Sequence, residues 1–200
     1  TATSTHSATA DMRKATGGVI EIGGLLPVAT IAAGTRASFT APSASSGSFA
    51  VTASSQNAAD ATAWLRSLSI IGVRGTVATA SIAESAATSA TVGSGVTLFA
   101  SGVVAVRAEN RAGTHAVAGI SSGAGGLITA GLFAASATTD AAVTAAFDGT
   151  IGASAGVVVD ATRTSRLEAT ITSTQIGLGA ISGTVVLADL RSPAGVTARF

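Results

Sequence analysis

Apolar and polar residues alternate one by one along much of this chain, and the pattern is clearest near its end. Within residues 167–172, leucine, alanine and isoleucine share one side, while glutamate and threonine share the other. Residues 196–200 alternate in the same way. A period of two predicts β-strands that have one dry and one wet face. No long run has helical spacing. The best helical window, residues 56–68, also alternates, so a helix there is the minor alternative.

The alternating segments recur at a nearly fixed distance along the chain. Residues 143–147 (VTAAF) match residues 196–200 (VTARF), which is an offset of 53 residues. Three valine-rich runs end in Ala53, Ala108 and Ala161, and these alanines are 55 and 53 residues apart. Internal repetition of this kind predicts a stacked architecture, in which each repeat contacts its neighbours, instead of one closed core.

Further landmarks extend the repeat through the whole chain. The offset of 53 places Ile128 on Ile181, and residues 91–93 (TVG) are matched to residues 150–152 (TIG). Four degenerate copies then fill the sequence from end to end. The predicted repeats are residues 1–48, 49–102, 103–155 and 156–200.

These repeats predict an all-β fold, a parallel β-solenoid (β-helix) that forms a single segment of about four repeats. The 24 glycines, with Ser and Thr between short Val, Ile and Ala runs, supply many turns and few helix signals. Small side chains suit a narrow interior in which parallel coils stack about 4.8 Å apart. Two coils per repeat give eight coils and a length of roughly 38 Å. Three thinner coils per repeat are the open alternative.

Composition narrows the range of partners. The net charge is +1, only 10% of residues are charged, and the arginines are scattered without the basic stripe that nucleic-acid binding requires. No segment approaches eighteen uninterrupted apolar residues, so we expect no transmembrane helix. Cysteine is absent, which removes disulfides and thiolate metal sites.

The clearest repeat carries a resemblance to a known class of proteins. Residues 150–188 read as Thr-Ile-Gly, a short Ala/Ser loop, Gly-Val-Val-Val-Asp-Ala, a Thr/Ser/Arg stretch and a Gly-rich apolar strand. This succession resembles the repeats of large bacterial surface exoproteins of the filamentous-haemagglutinin and leukotoxin types, and the resemblance covers essentially the whole chain. It implies a right-handed parallel β-solenoid, displayed outside a bacterial cell, with no catalytic residues in its repeats.

The sequence offers little for metal, cofactor or catalytic chemistry. Neither His6 nor His115 has a second ligand at close spacing, whereas a metal site needs three or four converging donors. We interpret both as solvent-facing loop residues. Residues 123–126 (GAGG) lack the aspartate of a calcium-binding nonapeptide and the Lys and Ser or Thr of a phosphate loop. We therefore expect no metal, no cofactor and no enzymatic activity.

Trp64 is the one residue that suggests a surface contact. Counting two repeats onward places Trp64 in register with Thr172, on the polar face of its strand. An outward indole can stack on a sugar ring or bury in a partner. The alternative is that the register slips in this repeat and Trp64 packs against a neighbouring turn.

Two functions from different classes follow. The first is a structural or adhesive segment of a long extracellular β-solenoid fibre that has no chemistry of its own. The second is a lateral module that binds a glycan or a host surface, with Trp64 as a contact. Ice binding through Thr-x-Thr pairs and a polysaccharide-active enzyme are remote alternatives. Both ends of the sequence fall inside a repeat. The first function therefore predicts continuation, or head-to-tail stacking on further copies.

Overall fold

Strands make up almost the whole chain, as the alternation predicts. The structure, a computed structural model, describes residues 1–191 and 194–200. These residues contain no α-helix, and one short 3-10 turn covers Glu84–Ala86. The strands are β1 (Ala2–Leu25), β2 (Val28–Ile31), β3 (Thr35–Phe39), β4 (Ser43–Ser46), β5 (Phe49–Ile82), β6 (Thr88–Val92), β7 (Thr97–Ala100), β8 (Val103–Asn110), β9 (His115–Gly125), β10 (Ile128–Thr139), β11 (Val143–Phe147), β12 (Thr150–Ala153), β13 (Gly156–Arg163), β14 (Arg166–Ile176), β15 (Gly179–Leu190) and β16 (Val196–Arg199).

The strands form three sheets, and their recorded pairings are parallel. Sheet A is curled and contains nine strands: β1, β2, β5, β8, β9, β10, β13, β14 and β15. Sheet B contains β3, β6, β11 and β16, and sheet C contains β4, β7 and β12. The chain passes through A, B and C in the same order three times, and a fourth pass goes through A and B. We call these passes turn 1 (β1–β4), turn 2 (β5–β7), turn 3 (β8–β12) and turn 4 (β13–β16). The all-β, parallel prediction is confirmed, and the helical alternative for residues 56–68 is wrong because that segment lies inside β5.

Several predicted landmarks lie beside one another in the sheets. Ala53 pairs with Ala108, and Ala108 pairs with Ala161. Val143 pairs with Val196 in sheet B. Matching side chains therefore stack on matching side chains in successive turns, which is the arrangement that the repeat predicts.

Other landmarks are misplaced. Ile128 pairs with Gly179, two residues before the predicted Ile181. Thr150 pairs with Thr97, so the match of residues 91–93 to residues 150–152 is wrong. The physical reason is that the separation between paired residues varies from 51 to 57, since the bends and loops differ in length from turn to turn.

The expectation of two coils per repeat is also wrong. Ala2 pairs with Ala53, so one repeat makes one turn, and four layers at about 4.8 Å put roughly 14 Å between the first and last strands. A single turn uses so many residues because sheet A takes long strands: β5 alone has 34 residues and bends back on itself. Its first limb (residues 49–69) pairs with β8 and β9, and its second limb (residues 71–82) pairs with β10.

Alanine fills much of the space inside the curl. The residues that we call the alanine core are buried on both limbs of β5 and on the strands beside them, and include Ala59, Ala61, Ala63, Ala78, Ala80, Ala116, Ala118, Ala135 and Ala137. Ala10, Ala61, Ala118 and Ala169 stand in one column through the four turns. Methyl groups allow the two limbs to approach closely, which accounts for the low aromatic content. A second apolar cluster lies between sheets B and C and the start of the curl.

At the tip of the curl the interior becomes polar. The inward residues there, which we call the polar core, are Thr16, Glu21, Ser67, Ser69, Arg74, Thr76, Ser122 and Thr129, and all except Thr16 are buried. Arg74 Nη2 donates to Ser67 Oγ at 2.7 Å, and Ser67 Oγ donates in turn to Glu21 Oε2. Thr16 donates to the other oxygen of Glu21. The guanidinium and carboxylate groups are 3.9 Å apart, and the Ser67 hydroxyl bridges them through its two hydrogen bonds.

Glycine makes room for this polar core. The column that contains Arg74 has Gly23 on one side and Gly131 on the other, so neither neighbour projects a side chain into the space that the guanidinium fills. A Cβ at Gly72 would lie 2.8 Å from Arg74 Nη2. Within the described residues, Arg74 Nε has no protein partner, and neither do the hydroxyls of Ser69 and Thr76, so the polar core can hold water.

The two limbs of the curl differ in which residues point outward. In the first limb of β5 the even-numbered residues point out, whereas in the second limb the odd-numbered ones do. The change occurs at Ile70 and Ile71, two consecutive exposed residues at the bend. This shift sends Ile71 and Val73 outward and Arg74 inward, so the dry and wet faces expected from the alternation are exchanged on the second limb.

Candidate functional site: a groove on the first limb of sheet A

Trp64 lies on the outer surface of the first limb, half-buried between two turns. Its neighbours Ala63 and Leu65 point into the core, so alternation sends the indole outward. Trp64 pairs with Ser121, and Ser121 pairs with Thr172. The predicted register of Trp64 with Thr172 is confirmed, and the alternative of a slipped register is wrong.

A groove runs along β9 beside Trp64, because the outward positions of this strand from Gly119 to Gly125 carry no side chain larger than serine. Its floor is formed by Gly119, Ser121, Gly123 and Gly125. One wall comes from turn 2 (Thr62, Trp64, Arg66 and Leu68) and the other from turn 4 (Thr170, Thr172, Thr174 and Ile176). It contains two adjoining cavities of about 410 and 390 Å³. Seven residues of β9 give the groove a length of roughly 20 Å.

The aromatic and cationic groups of the groove are held together. The Arg66 guanidinium carbon lies 5.3 Å from the centroid of the Trp64 ring, a cation–π distance. A Cβ at Gly123 would meet Arg66 Cδ at 3.0 Å, so glycine at this position lets the arginine stem lie over the floor. At Gly119 an added Cβ would have only ordinary contacts of 3.8 Å, with Thr62 and Thr170. Packing does not require glycine at position 119. The floor beside Trp64 is therefore open only because Gly119 has no side chain.

An ordered polar cluster borders the groove on turn 1. Asp11 accepts hydrogen bonds from Arg13 Nε and from Thr62 Oγ1, both at 3.0 Å. Arg13 pairs with Trp64, so it continues the column that runs on through Ser121 and Thr172. Because the carboxylate is engaged on both oxygens, the cluster suits ligand positioning better than proton transfer. The groove offers an aromatic face, guanidinium groups and threonine hydroxyls, which together suit the binding of a polar chain.

The two histidines lie in strands and not in the loops that the sequence analysis predicted. His6 is in β1 on the inward side and is partly buried, and His115 begins β9, with its Nε2 3.3 Å from a carboxylate oxygen of Asp60. The interpretation as loop residues is wrong for both, because the strands extend further than the local pattern indicated. Among the described residues no three His, Cys, Asp or Glu side chains gather in a group that could hold a metal ion.

Sequence reasoning found Trp64 but missed the groove. The signal was present in β9, whose run Gly-Ile-Ser-Ser-Gly-Ala-Gly puts glycine or serine at each outward position. From the sequence, we compared the end of this run only with calcium-binding and phosphate-binding motifs, and it matched neither. Glycine and serine alternating with buried residues in a central strand instead indicate a furrow, since the two neighbouring strands carry larger side chains.

Comparisons with known proteins do not assign the chain. No family model, curated protein or solved structure matches it. The described residues contain no helix with the length and apolarity needed to cross a membrane.

Proposed function

We propose that this chain is a structural segment of a long extracellular bacterial fibre, a right-handed parallel β-solenoid that extends by adding turns. The observation that carries the proposal is that turns 1 to 3 visit sheets A, B and C in the same order, and turn 4 repeats the order through A and B. The resemblance of residues 150–188 to repeats of large bacterial exoproteins supports the surface location and the right-handed winding. No catalytic role forms part of this proposal.

The open strand edges support growth by stacking. Gly179 N–H donates to Leu127 O at 2.9 Å, and Arg191 N–H donates to Thr139 O at 3.1 Å, so odd-numbered residues of β15 donate toward turn 3. Even-numbered residues such as Thr184 therefore direct their N–H groups away from turn 3, to the free edge. An edge of this kind is a template for a further parallel strand. Turn 1 has a corresponding edge along β1, which among the described residues pairs with β5 alone.

Paired proline substitutions test the proposal. Thr184→Pro removes a donor from the free edge, whereas Val185→Pro removes one that the ladder to β10 uses. We expect wild type to form open, concentration-dependent assemblies in light scattering and sedimentation. Thr184→Pro should suppress them with little change in melting temperature, and Val185→Pro should lower the melting temperature. Wild type that stays monomeric at every concentration would contradict fibre growth by stacking.

A second candidate function, glycan binding, rests on the groove. Trp64 offers a half-exposed ring, Arg66 is held against it, and threonine hydroxyls from turn 4 line the opposite wall. We propose that a linear oligosaccharide lies along β9, with one sugar stacked on the indole.

A substitution that fills the groove should prevent glycan binding without destabilising the fold. Gly119→Val places a branched side chain beside Trp64 without a clash at Cβ, and it should leave stability unchanged or slightly raised because glycine weakens strands. We expect Gly119→Val and Trp64→Ala both to lose glycan-array signals that wild type gives. Ser81→Val, an outward change on the second limb, is the matched control. Glycan binding that survives both groove variants would exclude the groove as the site, and an absence of wild-type signals would leave only the fibre proposal.

A further inference from the structure

The outer surface of the second limb is aliphatic through all four turns. We call this surface the outer aliphatic face, and its exposed members are Ile20, Ile22, Leu26, Val28, Ile71, Val73, Val77, Ile128, Leu132, Ile181, Val185 and Leu187. They stand in columns, since Ile20 pairs with Ile71 and Ile71 pairs with Ile128. Leu132 is 71% exposed although it belongs to an inner turn, so its exposure is independent of the open edges.

No charge interrupts this face. Residues 20–28, 71–79, 128–136 and 179–187 contain two charged side chains, Glu21 and Arg74, and both point into the polar core. The side chains between the aliphatic ones are small: Gly75, Ala130 and Gly183 lie among the branched residues. Contiguous apolar surface of this extent on a soluble protein marks an interaction site.

The size of the face suits a second sheet. Four strands about 4.8 Å apart and nine residues at about 3.3 Å each give roughly 600 Å² per copy, or roughly 1,200 Å² buried by two copies. That total lies at the lower end of specific protein interfaces. The ridges of Ile, Val and Leu beside the hollows at glycine and alanine can interdigitate when two such faces pack about 10 Å apart. A membrane surface is a poorer match, because this face has neither the basic residues nor the aromatic anchors that hold interfacial segments.

We propose that the outer aliphatic face pairs laterally with the same face of a second copy of this chain. The contact is isologous, so it closes as a two-fold dimer and does not itself generate a filament. It is distinct from stacking at the open edges, which adds copies along the other direction. Two fibres side by side would bury the aliphatic columns along their full length.

The experiment isolates the lateral contact in the Thr184→Pro background, which removes a donor from the free edge of turn 4 and is expected to prevent end-on growth. Analytical ultracentrifugation should give a monomer–dimer equilibrium, and adding Leu132→Lys should weaken dimerisation at least tenfold because it places a charge in the middle of the face. Thr62→Lys, a matched change on the outer surface of the first limb, should leave the dimer intact. Circular dichroism and melting temperature show whether each variant is folded.

Cysteine cross-linking gives a second measurement. The native chain has no cysteine, so the only thiol in Leu132→Cys is at position 132. A thiol cross-link must then join position 132 of two copies. We expect covalent dimers with a short bismaleimide for Leu132→Cys and none for Thr62→Cys. A folded background protein that is monomeric, and that gives no cross-link at position 132, would overturn the proposal. A monomer that co-sediments with phosphatidylcholine vesicles, and loses this with Leu132→Lys, would assign the face to a lipid surface instead.

Discussion

The alanine core and the polar core are built from the same strand. From Ala59 onward the inward residues of β5 are Ala59, Ala61, Ala63 and Leu65, then Ser67 and Ser69, and, after the bend and Gly72, Arg74, Thr76, Ala78 and Ala80. The strand is paired in parallel with turns 1 and 3 on both sides of the bend, yet the interior passes from methyl groups to a buried ion pair and back. Alternation therefore specifies which side chains share a face, whereas the bend decides which face is inside.

The two cores are stabilised by different physical effects. In the alanine core each side chain contributes a small apolar area, and stability depends on close packing through all four turns. In the polar core, burial of Glu21 and Arg74 is unfavourable by itself, and the hydrogen bonds through Ser67 and Thr16 offset it. The first region should respond to changes in volume, and the second to the loss of a partner.

Removal of Arg74 should have the largest effect. Arg74→Ala removes the guanidinium that Ser67 links to the buried Glu21 carboxylate and leaves Lys14 as the remaining cation, which we expect to lower the free energy of unfolding by about 3 kcal/mol, the lower end for a broken buried pair. Urea denaturation measures the change. Arg111→Ala is the control, since Arg111 forms a half-exposed pair with Glu109 at 3.8 Å. An equal loss in the two variants would show that the polar core contributes no more than a surface ion pair.

A double substitution sharpens this test. Arg74→Met with Glu21→Gln removes both charges and keeps similar volumes, so it should recover a large part of the stability lost in Arg74→Ala. If the double variant is as unstable as the single one, shape at position 74 matters more than charge.

An enlarged alanine should have an intermediate effect. Ala61 is fully buried in the column of Ala10, Ala118 and Ala169, so Ala61→Leu should lower the free energy of unfolding by about 1–3 kcal/mol through overpacking. Thr62→Leu, the same new side chain one residue later on the outer surface, is the control. Thermal and urea unfolding of both variants measure the difference, and equal stabilities would mean that the alanine core has unfilled space.

Acid should affect the polar core with the smallest amplitude. Burial alone would raise the pKa of Glu21, but the hydrogen bonds from Ser67 and Thr16 and the charges of Arg74 and Lys14 outweigh it and hold the pKa below its ordinary value. The stabilisation is therefore complete above the ordinary glutamate pKa and is lost as pH falls through the lowered one. Unfolding measured from pH 7 to pH 3 should show a shallower acid decline for Glu21→Gln than for wild type. Glu109→Gln, which removes a half-exposed carboxylate, should keep the steeper decline.

The sequence was sufficient to predict strands, parallel stacking and the outward position of Trp64. These features depend on period and repeat, which local residues such as Leu167 and Ala169 display directly. The bend at Ile70 and Ile71 could not be predicted, because an alternating pattern continued through it would have buried Val73 and exposed Arg74. The groove was missed because it is formed by three strands more than fifty residues apart in sequence.

One turn per repeat also has a consequence for the folding rate. Paired residues in the sheets are 51 to 57 positions apart, so a loop of that size must close before the first inter-turn contacts form. Folding rates fall as the sequence separation of contacts rises, and we therefore expect slow nucleation for a domain of this length. Once two turns are paired, each further turn docks on an existing edge and closes a loop of the same size as the one before. The time needed to complete a longer chain should then grow in proportion to the number of turns, with the first pairing as the slow step.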